Sequence, residues 1–131
     1  MSDTLQRDSD SILAARYGVT EETIRARIAL NDGCAAFDAG NLAEAESCFR
    51  EAKRLAVGCI TTLTTARRYL ASTYFTRYWP GQFKDVNEAA ANAKWLGMAE
   101  REYREILASG ADERDREYAE AGLRYLGPSQ C

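Results

Sequence analysis

The chain has no histidine among its 131 residues, and no proline precedes Pro80. Histidine is the commonest general base in enzymes and the commonest protein ligand for transition metals, so its absence excludes much ordinary catalysis. The lack of early proline leaves long stretches free to form uninterrupted helices. At this length the chain has the size of one domain, and we expect a single domain over residues 1–131 that buries its own core.

Neither sign of charge dominates, and long hydrophobic runs are missing. The 17 Lys and Arg residues stand against 20 Asp and Glu, so there is no basic excess of the kind that meets nucleic acid or anionic lipid. The weakly polar stretches, such as residues 57–63, fall far short of the roughly 20 apolar residues that cross a bilayer. Residues 1–8 are polar and offer no signal-peptide core. The sequence therefore predicts a soluble cytoplasmic protein with no membrane partner. It also disfavours nucleic acid as a binding partner.

Cysteine is present but is not arranged for metal binding. Cys34, Cys48, Cys59 and Cys131 form no CxxC pair and have no metal-ligand spacing. We therefore expect no metal site and no cofactor. The first three are interpreted as small core residues in a reducing compartment.

Arrangements typical of catalysis are not found either. The chain shows no paired acids in an apolar setting, no nucleophile beside a base and no glycine-rich phosphate loop. Several acidic residues alternate with Arg or Lys and are interpreted as solvated helix faces: Glu44, Glu46, Glu51, Glu100, Glu102 and Glu105. The sequence thus predicts a protein that is not an enzyme.

What the chain does contain is helix-forming sequence. Ala, Glu, Arg and Leu dominate, and no window shows sustained strand periodicity, so an all-α fold is predicted. Helices are expected at about 9–17, 21–39, 42–56, 60–78, 84–108 and 113–126. Thr20 and Asp112 are predicted to cap the helices that follow them, and Gly40 to end the helix before it. The helix over 84–108 is expected to be long or broken near Gly97.

Small and large residues follow a definite spacing in residues 33–52, at Gly33, Gly40, Leu42, Ala45, Phe49 and Ala52. This pattern resembles the tetratricopeptide repeat. In such a repeat Gly33 and Ala45 are small where two antiparallel helices cross, and Phe49 fills the space between this helix pair and its neighbour.

Weaker copies of the pattern follow. A second copy is placed at residues 70–74 and 81–83, and then at Val86, Ala90 and Ala93. Residues 118–125 resemble the first helix of a third copy, and the spacing of a second helix precedes them at Ala99, Tyr103 and Ile106. The resemblance covers about residues 26–126. It implies stacked antiparallel helical hairpins, two to three TPR-like repeats, after an N-terminal helical hairpin over 1–25; a non-repeat bundle is the alternative.

The resemblance also implies a ligand groove. In this family the first helix of each pair lines the groove in which the ligand binds. The resemblance therefore implies that the partner is a protein or peptide. The groove-facing candidates are Arg27, Asn31, Cys34, Arg68, Ser72, Phe75 and Arg116. Arg27, Asn31 and Arg68 partly resemble the side chains with which relatives capture a C-terminal carboxylate. Alternatively, these arginines are solvated or paired with Glu one turn away.

Aromatic residues concentrate in one region, at Tyr69, Tyr74, Phe75, Tyr78, Trp79 and Phe83. Such residues build either helix packing or binding surfaces. Tyr78 and Trp79 lie in the insertion of the second copy, so we expect them to be exposed and to contact the partner. Because a short array leaves apolar ends, a homo-oligomer formed through Tyr118, Leu123 and Tyr125 is also predicted.

The N-terminal segment suggests a different function. Residues 13–25 resemble the helix-turn-helix of bacterial repressors, with Gly18 at the turn and a capped second helix. That resemblance implies a DNA-binding regulator whose residues 20–27 enter the major groove, the helical remainder serving for dimerisation or effector binding. A plain hairpin that caps the stack is the other interpretation. The preferred expectation is a non-catalytic protein- or peptide-binding module: an adaptor, a chaperone-like factor or an assembly component.

Overall fold

The structure, a computed structural model, describes residue 12 and residues 20–56, 58–79 and 83–126. Between residues 20 and 126 the described chain contains five helices and no strand. We number them α1 (Glu21–Asp38), α2 (Leu42–Leu55), α3 (Ile60–Tyr78), α4 (Val86–Ala108) and α5 (Glu113–Leu126). The all-α prediction is confirmed for this part of the chain.

The helix boundaries agree closely with the sequence. The bounds of α3 and α5 are those predicted, and α1 and α2 each end one residue earlier than expected. Helix α4 begins at Val86 and is continuous through Gly97, so of the two alternatives expected for this segment the long helix is the one present. The helix predicted over residues 9–17, with its stop at Gly18, lies outside the described residues, as does most of the N-terminal hairpin.

Side-chain caps define where the helices begin. The Thr20 hydroxyl accepts a hydrogen bond from the Thr23 amide at 3.1 Å, and Asp112 Oδ1 accepts one from the Asp115 amide at 3.0 Å. Both predicted caps are thereby confirmed. Asp85 caps α4 in the same way, since its carboxylate accepts from a backbone amide of the first turn at 2.9 Å. Each cap satisfies a donor that the helix itself leaves unpaired.

Backbone geometry defines where two of the helices end. Gly40 follows α1 with a φ of +81°, a left-handed conformation that glycine adopts without steric cost, which confirms the predicted stop. Trp79 follows α3 with a φ of −64° and a ψ of 128°. This extended conformation is the one that a residue preceding proline prefers, and it turns the chain away from the helix axis.

Neighbouring helices in the chain pack antiparallel. Glu46 of α2 pairs with Arg77 near the end of α3, at 3.1 Å. One turn further along α2, the guanidinium of Arg50 donates to the hydroxyl of Tyr74, which lies earlier in α3, at 3.0 Å. The contacts therefore move backwards along α3 as they move forwards along α2.

Alternate helices, in contrast, run parallel. Arg68 of α3 pairs with Asp115 in the first turn of α5, at 3.1 Å. Further along both helices, the ring of Phe75 meets that of Tyr125 at 5.1 Å between centroids. The contacts thus advance together along α3 and α5.

The helices form two layers. Helix α3 contacts both α1 and α5. On the other side, Lys53 of α2 donates to Glu102 of α4 at 2.6 Å. Helices α1, α3 and α5 therefore make one layer, and α2 and α4 make the other. This arrangement agrees with stacked helical hairpins.

A single cluster of buried residues receives members from all five helices. The first hairpin, formed by α1 and α2, packs as the spacing predicted. Ala45 is fully buried, and a Cβ added at Gly33 would lie 2.5 Å from the ring of Phe49. The same ring stacks on Tyr69 of α3 at 5.3 Å, so it also joins this hairpin to the next helix. The roles predicted for Gly33, Ala45 and Phe49 are confirmed.

The second copy of the pattern does not pack in the predicted register. Val86 is 82% exposed, Ala90 is exposed and Ala93 is half-buried. The core side of α4 is formed two to three turns later by Ala99, Tyr103 and others that are almost fully buried. Because α4 is 23 residues long, its first turns extend past the core and its later turns do the packing.

Candidate functional site

A pocket opens in the groove between α1 and α3. Its volume is about 330 Å³. Side chains of α1, α2 and α3 line it: Cys34, Phe37, Asp38, Phe49, Tyr69 and Ser72. The stacked rings of Phe49 and Tyr69 form an apolar surface inside this pocket. We call it the α1–α3 pocket.

One ionisable carboxylate lies at the rim of the α1–α3 pocket. Asp38 is exposed, is the last residue of α1 and forms no ion pair with any other described residue. The last turn of α1 carries no basic residue. Since the carbonyl groups at a helix C-terminus also present partial negative charge, this end of the pocket favours a cation.

The groove between α3 and α5 is closed. Arg68 pairs with Asp115, and its guanidinium lies over the rings of Tyr69 and Tyr118 at 5.5 Å and 5.3 Å. The hydroxyl of Tyr118 is hydrogen-bonded to that of Ser72 and donates to the Arg68 carbonyl at 3.3 Å. The structure thus brings Arg68 and Ser72 together, and side chains of α5 contact both of them.

The aromatic residues at the end of α3 divide between the two layers. Phe75 stacks on Trp79 at 4.6 Å, and both rings contact Tyr125, which is 68% exposed. Tyr78 points the other way and stacks on Trp95 of α4 at 4.4 Å. Tyr78 and Trp79 are each half-buried. They belong to different clusters and do not form one exposed surface.

Tyr78 belongs to a polar network between α2 and α3. Its hydroxyl donates to Glu46 at 3.4 Å, and the same carboxylate pairs with Arg50 and Arg77. Burial, followed by the nearby charge of Glu46, raises the pKa of Tyr78 above its ordinary value. The hydroxyl of Tyr78, like that of an ordinary tyrosine, is protonated at neutral pH and acts as the donor to Glu46.

The interpretation of the acidic residues as solvated was wrong for two of them. Glu46 and Glu102 are only 6% and 4% exposed. Each is held by cations from another helix: Arg77 contacts Glu46, and Lys53 contacts Glu102. A buried carboxylate needs such a partner, and this partner comes from tertiary packing.

Arg27 and Asn31 lie exposed on α1 and are not part of the α1–α3 pocket. Arg27 is close enough to the start of α3 to act on Cys59, which precedes that helix. Hydrogen bonds from Thr62 lower the pKa of the Cys59 thiol, and the charge of Arg27 adds to this effect. By contrast, burial raises the pKa of Cys48, with further contributions from Asp32 and Glu44.

Four residues of the pocket were missed by the sequence analysis as site residues: Phe37, Asp38, Phe49 and Tyr69. A signal for two of them was present. Cys34 was placed in the groove, and Phe37 and Asp38 lie three and four residues later, on the same helix face. Phe49 was assigned to packing, and Tyr69 to an aromatic cluster that builds either helix packing or a binding surface. Their rings stack on each other and also line the pocket.

Of the three residues predicted to mediate self-association, two are not exposed. Tyr118 and Leu123 are half-buried and pack against the core. Tyr125 alone of the three is exposed, beside Phe75 and Trp79.

Within the described residues, no helix is long and apolar enough to span a membrane, and no group of three or more acidic or cysteine side chains is placed to hold a metal ion. No protein-family model matches the chain, and searches of curated proteins and of solved structures find no match. The packing by itself defines the class: an all-α protein of consecutive antiparallel helix pairs.

Proposed function

We propose that this chain is a TPR-like repeat protein that binds a protein or peptide in the groove between α1 and α3, without catalysis. Such a module would serve as an adaptor, a chaperone-like factor or an assembly component. The observation that carries the proposal is the α1–α3 pocket, with aromatic walls and one carboxylate at its rim. Pockets with mostly apolar walls and few polar groups are typical ligand sites.

The two-layer arrangement supports the repeat assignment. Parallel α1, α3 and α5 occupy the layer that lines the ligand groove in stacked repeats. The close contact of Gly33 with Phe49, which the repeat spacing predicts, is present in the first hairpin. A second glycine–aromatic contact, between Gly122 and Tyr103, is present in the last one.

A variant that fills the pocket tests the proposal. Cys34→Tyr places a ring in the α1–α3 groove, as Tyr118 does in the neighbouring groove. Ala35→Tyr is the matched control, because Ala35 is exposed on the same helix and does not line the pocket. The wild type and both variants are used for affinity capture from a native lysate, with and without nuclease, and the recovered proteins are quantified by mass spectrometry.

We expect one protein to be captured stoichiometrically by the wild type and by Ala35→Tyr, and to be lost with Cys34→Tyr. Equal capture by both variants would exclude the pocket as the binding site. Recovery of DNA fragments, with protein partners lost on nuclease treatment, would instead favour the regulator that the N-terminal segment resembles.

A further inference from the structure

The α1–α3 pocket combines two features that point to one kind of ligand group. Its walls include the rings of Phe37, Phe49 and Tyr69, and its rim carries the carboxylate of Asp38. A long side chain with an apolar stem and a charged head matches such a site, because the stem can lie along the rings while the head stays near water.

The charge at the rim is not neutralised within the described residues. Asp38 has no ion pair there, and the last turn of α1 contains no basic side chain. Arg68, which precedes the pocket residue Tyr69 on α3, is paired with Asp115 and lies over the ring of Tyr69. The carbonyl end of α1 adds partial negative charge at the same place.

We propose that the α1–α3 pocket receives a lysine or arginine side chain of the bound peptide, with its aliphatic stem against Phe37 and Tyr69 and its cationic head at Asp38. This inference rests on the proposed function, since it names the residue that the peptide inserts. An apolar side chain would desolvate Asp38 without pairing it, and an acidic one would be repelled.

The inference also differs from carboxylate capture, which Arg27, Asn31 and Arg68 partly resembled. Arg68 is already paired with Asp115, and Arg27 and Asn31 do not line the pocket. Among the described residues, the pocket therefore offers the ligand an acceptor and no free cation.

Selection from a phage-displayed library of random 12-residue peptides tests the inference. The full chain, Asp38→Asn and Asp38→Lys are each used as bait, and Asp32→Asn serves as control because Asp32 is an exposed acid of the same helix outside the pocket. Circular dichroism verifies that all four fold. The best peptide is then synthesised with its enriched basic residue replaced by norleucine, a neutral side chain of similar length.

We expect Lys or Arg to be enriched at one position with the wild type and Asp32→Asn, and not with Asp38→Lys. Norleucine should weaken wild-type binding about fivefold, as for a partly exposed ion pair, and should leave binding to Asp38→Asn unchanged. Enriched peptides without a basic position would overturn this inference and leave the proposed function standing. No enrichment with any bait would overturn both.

Discussion

The first hairpin (α1 and α2) and the last hairpin (α4 and α5) both pack a glycine against an aromatic ring. The groove beside the first hairpin is open, and the groove beside the last is closed. A Cβ added at Gly33 would meet the ring of Phe49, and one added at Gly122 would lie 2.4 Å from the ring of Tyr103. In the first hairpin the ring is purely apolar and borders an open pocket. In the last hairpin the ring lies against Tyr118, at 5.9 Å between centroids, and the adjoining groove is closed.

The difference follows from the residues that face each groove. Between α1 and α3 these are small side chains, Cys34 and Ser72, which leave space above the Phe49 ring. Between α3 and α5 the corresponding space holds Tyr118 and the Arg68–Asp115 pair. The same glycine–aromatic contact therefore lies beside either an open pocket or a closed groove, and the side chains that face the groove from the neighbouring helices decide which.

The largest expected effect is the loss of an aromatic ring at either hairpin. Phe49 is 1% exposed and Tyr103 is 4% exposed, so replacing either by Ala should lower the free energy of unfolding by about 3–5 kcal/mol. Urea denaturation gives the measurement. Val86→Ala, at an 82% exposed position, should change it by less than about 0.5 kcal/mol. If Phe49→Ala cost no more than this control, the Phe49 ring would not pack in the first hairpin as described above.

A smaller effect is expected from adding one methyl group to each glycine. Gly33→Ala and Gly122→Ala should each destabilise by about 1–3 kcal/mol, because the new Cβ overlaps a buried ring that has little room to move. Gly97→Ala is the matched control, since its Cβ meets nothing within 4 Å. That variant should gain roughly 0.5–1 kcal/mol of helix propensity. A gain at all three positions would mean that neither crossing is tight.

The ion pair that closes the second groove should contribute less again. In a double-mutant cycle of Arg68→Ala and Asp115→Ala, we expect a coupling free energy of about 1 kcal/mol, because both side chains are partly buried. The exposed pair of Arg54 and Glu51 gives the comparison, and its coupling free energy should be smaller, because water screens both side chains. Equal couplings would show that α5 does not shield the Arg68 pair.

The smallest effect at neutral pH is expected from removing the hydroxyl of Tyr103. This hydroxyl is the chemical difference between the ring of Tyr103 in the last hairpin and that of Phe49 in the first. Burial raises the pKa of Tyr103, so the folded protein keeps this proton when the unfolded chain, with a pKa near 10, has lost it. The unfolded state then binds fewer protons, and the free energy of unfolding falls as pH rises above about 10. Tyr103→Phe makes the last hairpin resemble the first and should reduce this fall.

Urea denaturation of the wild type and Tyr103→Phe between pH 8 and 11 measures the slope. At pH 8 the two should differ by about 1 kcal/mol or less, because the variant removes one hydroxyl group and keeps the buried ring. Some alkaline loss should persist in the variant, because burial also raises the pKa of Tyr74. Identical slopes would contradict the assignment of the effect to Tyr103.

The sequence was informative where local rules decide structure. Thr20 and Asp112 were identified as caps because short polar side chains accept from first-turn amides, and Gly40 as a stop because only glycine takes its φ cheaply. It failed where the partner comes from a distant part of the chain. Glu46 and Glu102 look like solvated residues until Arg77 and Lys53 are brought beside them.

The candidate site shows the same division. Cys34 and Ser72 were placed in the groove because the resemblance to the tetratricopeptide repeat assigns the first helix of each pair to that groove, and both residues do line the α1–α3 pocket. That Ser72 borders a pocket on one side and meets Tyr118 on the other depends on how three helices meet. For α4 the sequence offered two sets of packing residues, one with Ala90 and a later one with Ala99. Only contact with the neighbouring helices selects the later set, whose members are buried.

The sequence by itself determined the all-α class, the helix bounds and the Gly33–Phe49 crossing, because propensity, capping and steric size act over a few residues or one hairpin. Only the tertiary structure decided which groove stays open, which acids are buried and that Asp38 faces the α1–α3 pocket without a partner among the described residues. These features depend on helices separated in the chain by tens of residues. Their relative positions follow from the packing of the whole core, which no local pattern encodes.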